Sequence, residues 1–503
     1  MVDYTKRGLQ SFLALFVLSV LGVGVGYIFR FVLARNLSVQ DYGIFYAAYA
    51  LLSVPFLFRD LGLGQALTKF VPEFLHRNEM SSLRFVIFYS FKWTIFFSSL
   101  VAIFTILLSN TISTEYLNFK SVYFFVILLV LVFFLQCVEG FLLYLFISFQ
   151  KHTHYAVYQF LKQLFLTIFV VILFYFVEKN LNLVATAYVA TSLLMLFVFT
   201  AILKYKVIPN TKKIKSISDL KKTKIKKDLW KFGFSVMFIS IGGLLLQYSD
   251  TIMLTFFKST TETGIYNAAV PISNLLLFLG ISLSLVLVPM ISELYSKKLF
   301  SHINQAITLI YKYSLLIILP IGLAMFVYSE LILSLFFGQE YIPAANALKF
   351  LVFGAMFFVI AQTNFSILSG SGKPQIVAKY VLIGASSNIL LNFLLIPPLG
   401  ILGAAITTML GYLLMLVLST KHLRKLFKFK FPLAQLVKSI FLSILFILLV
   451  NLLKKIIVMN PYIEAIIVLC ISGAIYLVVA YLLKLIDFKE IKELISKVVA
   501  KNE

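Results

Sequence analysis

Val122–Ser148 reads V-Y-F-F-V-I-L-L-V-L-V-F-F-L-Q-C-V-E-G-F-L-L-Y-L-F-I-S, a run with one charged residue, Glu139. About 20 apolar residues wound as a helix cross the hydrocarbon core of a bilayer. Similar runs recur along all 503 residues. Apolar windows place spans near 10–34, 42–66, 82–109, 119–148, 155–177, 183–203, 231–257, 264–292, 304–327, 345–369, 375–396, 401–420, 433–453 and 461–483, about 14 in all. The chain is 61% hydrophobic and 13% charged, with a mean hydropathy of +0.99. Soluble domains carry about a quarter charged residues, so lipid must be part of this chain's solvent. Helix-length runs also exclude the alternating pattern of an outer-membrane barrel. The expected fold is an all-α polytopic membrane protein.

The run from Gln10 to Ala34 is too long for a signal h-region, ends without a small-residue cleavage site and is followed by similar segments, so it reads as the first span. Cys137 and Cys470 both fall in apolar runs and imply no disulfide framework. His152 and His154 stand in a short polar turn without carboxylate company, which reads as a solvated loop and not a metal site. No cofactor motif is present; the spacing of Gly22, Gly24 and Gly26 does not fit a dinucleotide fingerprint.

A net charge of +24 invites a nucleic-acid reading, but the placement of the charges argues against it. With the N-terminal side taken as inside, roughly 30 basic residues fall in inside segments, about 6 in outside loops and about 8 within spans. The inside set includes Lys6, Arg7, the segment Lys204 to Lys231, Lys421 to Lys430, and the stretch from Lys484. This is the positive-inside pattern, and it puts both termini in the cytoplasm of a cytoplasmic (inner) membrane protein. Lysines of the Lys204–Lys231 segment can also meet anionic lipid headgroups.

An internal repeat organises the spans. S-V-Q-D-Y-G-I-F-Y-A-A (Ser38–Ala48) matches S-T-T-E-T-G-I-Y-N-A-A (Ser259–Ala269), each at the start of the second span of its half. Gly22 matches Gly243, Pro55 and Pro271 interrupt corresponding spans, and L-V-A-T-A (Leu183–Ala187) parallels L-G-A-A-I (Leu402–Ile406). The expected organisation is a six-helix lobe over 1–203, a basic cytoplasmic linker over 204–230, a second six-helix lobe over 231–420, and two additional spans with a cytoplasmic tail over 421–503. Six spans per half give a parallel pseudo-repeat, and two such bundles can rock about a central cavity. Pro55, Pro271, Pro289 and Gly24 are the candidate hinges, with Pro320 a further kink site.

An ionisable group at mid-bilayer costs roughly 2.5–3.5 kcal/mol on insertion scales, so each needs a reason. Lys349, Lys379 and Lys438 lie near span ends and can snorkel. The deep set is Arg30, Arg59, Asp60, Lys92, Glu139, Lys162, Asp250 and Lys312. Cations outnumber acids in it. A surplus of positive charge in an apolar bundle points to a visiting anion, and the arginine fork suits phosphate oxygens. Arg30, Arg59, Lys162 and Lys92 are therefore candidate substrate-binding cations. Asp60, Asp250 and Glu139 are candidates for ion pairing or for carrying a coupling ion, H+ or Na+. Static interhelical pairing is the alternative for each.

In D-Y-G-I-F-Y-A-A-Y-A with R-D-L-G-L-G-Q-A-L (Asp41 to Leu67), Y-S-D-T-I-M-L with E-T-G-I-Y-N-A-A (Tyr248 to Ala269), F-G-Q-E-Y-I-P-A-A-N-A-L (Phe337–Leu348), and S-G-S-G-K-P-Q with N-F-L-L-I-P-P-L-G-I-L-G-A-A (Ser369–Gln375, Asn392–Ala405), the chain resembles the Wzx-like, O-antigen-type polysaccharide-transport flippases. These belong to the multidrug/oligosaccharidyl-lipid/polysaccharide exporter superfamily. The resemblance implies two pseudo-symmetric lobes of 12 core helices plus two, around a cationic central cavity. It implies a flippase, not an enzyme, that moves a polyprenyl-(pyro)phosphate-linked oligosaccharide to the outer leaflet by alternating access. It also places arginines of the first two spans in the cavity, where Arg30 and Arg59 match by location. The expected partners are that lipid-linked oligosaccharide, membrane lipids and a coupling ion, with no nucleic acid, and the chain is expected to act as a monomer. Three rivals stay open: a cation-coupled drug or metabolite antiporter of the same superfamily, a membrane glycosyltransferase or polymerase, and a lipid scramblase without sugar specificity.

Overall fold

A computed structural model describes residues 2–207, 217–427, 429 and 433–486; residues 208–216 of the expected linker and the expected tail beyond 486 lie outside them. Among the described residues all regular structure is helical. In chain order the helices are α1 (Val2–Asn36), α2 (Val39–Ser53), α3 (Leu63–His76), α4 (Met80–Leu107), α5 (Ser109–Thr111), α6 (Tyr123–Ser148), α7 (His152–Phe176), α8 (Leu181–Ile202) and α9 (Asp219–Phe257). They continue as α10 (Thr260–Asn274), α11 (Leu277–Ser296), α12 (Phe300–Val327), α13 (Ser329–Phe336), α14 (Ala345–Gly370), α15 (Pro374–Leu399), α16 (Ile401–Phe427), α17 (Leu433–Ile456) and α18 (Pro461–Leu482). Among the described residues, fourteen segments are long and apolar enough to cross a membrane. The chain is a multi-pass membrane protein.

Packing separates two compact units, Met1–Asn267 and Ala268–Glu503. In the first, α1 lies along α7, α6 packs on α3, α4 and α8, and α9 packs on α2, α3 and α4. Leu63, Leu67, Phe70, Val86, Phe146 and Leu229 form part of one fully enclosed core there. In the second, α14 runs between α11, α12 and α16, and the α17–α18 pair packs on α12. Tyr476 fixes that pair by donating its hydroxyl to the Leu316 carbonyl, 3.1 Å away.

Two stretches expected as single spans are broken helices. The window 42–66 holds α2, a 3-10 turn at Pro55–Phe58, and the start of α3. Proline supplies no N–H to continue α2, and the chain turns through Leu61 (φ 48°) and Gly62 (φ 78°) before α3 begins. A side chain at Gly62 would run into the backbone of Gly233 on α9, so the turn needs glycine twice over, for its conformation and for its contact. The window 264–292 likewise divides at Leu275–Leu276 into α10, which contains Pro271, and α11, which contains Pro289. The first turn of α2 meets the first turn of α10 at the repeated glycines. A Cβ on Gly43 would overlap the carbonyl oxygen of Thr260, and one on Gly264 that of Val39.

Two further expectations change. His152 and His154 belong to the first turn of α7 and not to a loop, and the His154 ring stacks on Phe146 at 5.7 Å. Residues 219–230 are helical and continuous with the seventh span, because Ile225 and Leu229 are buried in the core against α3 and α4.

Candidate functional site

The break between α2 and α3 builds the site. Asp60 accepts from the N–H of Gly62 and the N–H of Gly64, both at 3.1 Å, so its two oxygens occupy the unfilled donors that open α3. Arg59, its neighbour in sequence, turns the other way. It lies against Gly140 of α6, its Nη2 3.3 Å from where a Cβ would stand, and beside Cys137. Arg59 opens onto a cavity of about 380 Å³ within the first unit, a size typical of small-molecule sites. Its polar lining includes Ser53, Asp60, Gln65, Gln136, Tyr144 and Gln247, together with Tyr49 and Tyr248. Neutral amides and phenols in pairs, Tyr49 with Gln136 and Tyr144 with Gln65, add donors and acceptors beside Arg59 and Asp60.

Arg30 of α1 sits in a box of tyrosines. Its guanidinium carbon lies 4.9 Å from the centroid of Tyr46, and Tyr42, Tyr27 and Tyr188 are its other electrostatic neighbours. Tyr46, Tyr49 and Tyr248 carry this aromatic surface from Arg30 to the cavity; the Tyr49 and Tyr248 rings are 6.5 Å apart. A cation–π contact is worth about 0.5–2 kcal/mol and leaves the guanidinium's five donors without an anion. Among the described residues, no carboxylate forms an ion pair with Arg30 or with Arg59.

The other expected cations behave differently. Lys162 of α7 is ion-paired with Glu139 of α6, whose side chain is buried. Lys92 stands on the exposed side of α4, two residues from each of the buried Ser90 and Thr94, and does not line the cavity. Asp250 of α9 is buried and accepts a 2.6 Å bond from the Tyr266 hydroxyl. Lys312 of α12 is half-buried over the Tyr313 ring. Of the candidate hinges, Pro55 stands at a helix break and Pro271 lies inside α10, one turn before the next. Pro289 lies inside α11, and α1 runs unbroken through Gly24.

The neutral lining was not singled out from the sequence, though a signal exists. Tyr42, Tyr46, Tyr49 and Ser53 recur at helical spacing and put a polar stripe on one face of α2. Gln136, Gly140 and Tyr144 do the same on α6.

Comparison with known proteins agrees with this architecture. The profile of the family described as polysaccharide biosynthesis protein matches residues 9–295, and that of the MatE family matches 236–394. An uncharacterized membrane protein of Methanocaldococcus jannaschii is 30% identical over 95% of this chain and 96% of its own length. A probable low-salt glycan biosynthesis flippase of Haloferax volcanii is 25% identical over 39% of this chain and 42% of its own. Among solved structures, the inward closed conformation of the lipid II flippase MurJ has a TM-score of 0.70 at 17% identity, covering 93% of this chain and 98% of that one, which establishes a common fold. With more than half its length matched by one family and nearly all of it by a full-length relative, the chain belongs to the polysaccharide biosynthesis protein family, among the flippases of the multidrug/oligosaccharidyl-lipid/polysaccharide exporter superfamily.

Proposed function

We propose that the chain carries the head of a polyprenyl-phosphate- or pyrophosphate-linked oligosaccharide across the cytoplasmic membrane, from the cytoplasmic to the outer leaflet, and is no enzyme. The observation that carries the reading is the pair Arg30 and Arg59. Both are half-buried, and the nearby acids are engaged elsewhere: Asp60 on the start of α3, Glu139 on Lys162 and Asp250 on Tyr266. A glycan head loses the hydration of its hydroxyls and phosphates on entering hydrocarbon. Two fixed guanidinium groups replace the water around phosphate, and the Gln and Tyr lining offers hydrogen bonds to hydroxyls. The lipid tail stays in the bilayer. Both termini are cytoplasmic in this reading, and the lobes 1–203 and 231–420 rock by bending at Pro55 and Pro271, driven by a proton or sodium gradient or by downstream use of the product.

The test is flipping of a fluorescent polyprenyl-pyrophosphate disaccharide in proteoliposomes. A charge-assisted hydrogen bond is worth about 1.5–3 kcal/mol, so Arg59→Gln and Arg30→Gln should each slow transport about 10–100-fold with the protein still inserted. Lys92→Gln should leave the rate unchanged. Normal flipping by both arginine variants defeats the proposal, and efflux of a cationic dye by the wild type would favour an antiporter.

A further inference from the structure

The far end of the second unit carries a charge cluster that the transport site does not use. α15 and α16 are joined by the single residue Gly400 and run antiparallel, as the contacts of Asn392 with Thr407 and of Tyr380 with His422 require. The start of α15 and the end of α16 therefore lie at the same membrane face. Lys373, Lys379, Lys421, Arg424 and Lys425 gather there around His422, which is hydrogen-bonded to Tyr380 at 3.0 Å and has Lys373 and Lys425 as its electrostatic neighbours. Among the described residues, none of the five cations forms an ion pair.

Ordinary membrane topology explains only part of this. Basic residues gather on the cytoplasmic side in any such protein, and Arg424 and Lys425 in the last turn of α16 suit that helix's dipole. Lys373 stands at the opposite pole, the N-cap of α15, where the dipole disfavours a cation, and Lys379 follows in the second turn. Elsewhere single lysines are neutralised, Lys221 by Glu79 at 2.7 Å, Lys222 by Asp219 at 2.9 Å and Lys297 by Glu293 at 2.7 Å. Lys454 and Lys455 in the last turn of α17 form no ion pair among the described residues. The α15–α16 cluster differs from that end in drawing its cations from two helix ends at once. The surface beyond the cluster also has a direction. On α15 the exposed residues run Gln375, Lys379, Leu382, Ser386, Leu390 and Phe393, and on α16 Val417 precedes Lys421 and Arg424. Both stripes pass from cationic at the membrane boundary to apolar further along the span.

We infer that the paired ends of α15 and α16 form a binding site for an anionic phospholipid, with the headgroup phosphate held by Lys373, Lys379, Arg424 and Lys425. The acyl chains lie along Leu382, Leu390 and Phe393. Basic pockets between spans recognise phospholipid headgroups by this chemistry. The inference needs only that these helices cross the membrane, and it stands independently of which substrate is flipped.

Native mass spectrometry of the protein from mixed micelles with equal phosphatidylglycerol and phosphatidylcholine tests it. The wild type should retain phosphatidylglycerol about tenfold over phosphatidylcholine, and excess inorganic phosphate should not displace it. The variant Lys373→Gln/Lys379→Gln/Arg424→Gln/Lys425→Gln should lose that preference. A control that removes the same charge from α9, Lys221→Gln/Lys224→Gln/Lys227→Gln/Lys231→Gln, should keep it. Retention of the preference by the first variant, an equal loss in the control, or displacement by free phosphate would each overturn the site. A second measurement needs no variant: phosphatidylglycerol with a photoreactive acyl chain should label 379–394 or 417–425 in the wild type, and labelling confined to other segments refutes the assignment.

Discussion

The two units hold their interiors together with different chemistry. In the second, neutral side chains hydrogen-bond from helix to helix, and the deep cation Lys312 lies half-buried over the Tyr313 ring. Tyr311 donates to the Asn364 oxygen at 2.8 Å, and the Asn364 amide donates to Ser419 and Thr420, both at 3.0 Å. Asn392 donates to Asn388 at 3.2 Å, and the Asn388 amide reaches Thr408 at 3.2 Å. The first unit instead places Arg30, Glu139, Lys162 and Asp250 within its spans and Arg59 and Asp60 in the break that follows the second. Adhesion between membrane helices is evidently achieved with amides and hydroxyls alone, as α14, α15 and α16 demonstrate. Charge in the first unit therefore needs another reason, and its charges are of two kinds. Lys162 with Glu139 is a closed pair, whereas Arg30 and Arg59 have no carboxylate partner among the described residues, as the anion site proposed above requires.

The sharpest way to break this comparison is to open the closed pair. Removing one partner of a buried ion pair leaves an uncompensated charge and costs about 3–5 kcal/mol. Glu139→Ala or Lys162→Ala should thus cut the yield of folded protein and its thermal unfolding temperature more than any arginine substitution does. Because Lys162 was expected among the substrate cations, the double variant Glu139→Gln/Lys162→Met decides the matter. It should regain most of the stability and still flip substrate. If it folds but transports nothing, Lys162 belongs with Arg30 and Arg59.

A smaller loss is expected where the two repeats touch. Gly43→Ala puts a methyl group into the Thr260 carbonyl, and overpacking of this kind costs about 1–3 kcal/mol. Transport should fall with stability, whereas Gly24→Ala, which meets open space, should change neither. In the second unit, interhelical hydrogen bonds in membranes average about 0.6 and reach about 1.7 kcal/mol. Asn364→Leu should lower the unfolding temperature by a corresponding few degrees and leave the flipping rate per folded molecule intact. A specific transport defect in that variant would place the second unit's polar network in the mechanism and erase the contrast.

How much of this was readable in the residues depends on the range of the interaction. The spans were legible because about 20 apolar residues in a row carry the signal locally, and the break in the second span was half legible in Pro55. Its exact form was not. The restart at Leu63 depends on the Asp60 side chain capping α3 and on Gly62 fitting against Gly233, a contact between residues 171 positions apart in number that no hydropathy window registers. Arg30 and Arg59 stood out as charges in oil, yet the same reasoning ranked Lys92 and Lys162 beside them. Only packing separates an arginine among tyrosines from a lysine on a carboxylate. The tyrosines themselves were hidden by their own ambiguity, since Tyr in a membrane helix reads equally as interface, core or ligand contact until α2's helical phase is laid against α6 and α9.

The smallest effect marks the outer limit of the comparison. Glu79, in the turn between α3 and α4, accepts from Lys221 of α9 and from Ser82, and these bonds hold its carboxyl below the usual glutamate value. A carboxylate whose folded-state pKa is depressed stabilises the fold above its unfolded value, near 4.5, and that contribution disappears as the pH falls through the lower, folded value. Both side chains are partly exposed, so water and salt screen the pair and it is worth at most about 1 kcal/mol. Glu79→Gln should accordingly lower the unfolding temperature only slightly at pH 7, and less at high ionic strength. The variant and the wild type should converge at acid pH, where the wild-type carboxyl is protonated too. A large loss at neutral pH, insensitive to salt, would mean that this contact clamps α9 to α3 and α4 as firmly as the buried pair does.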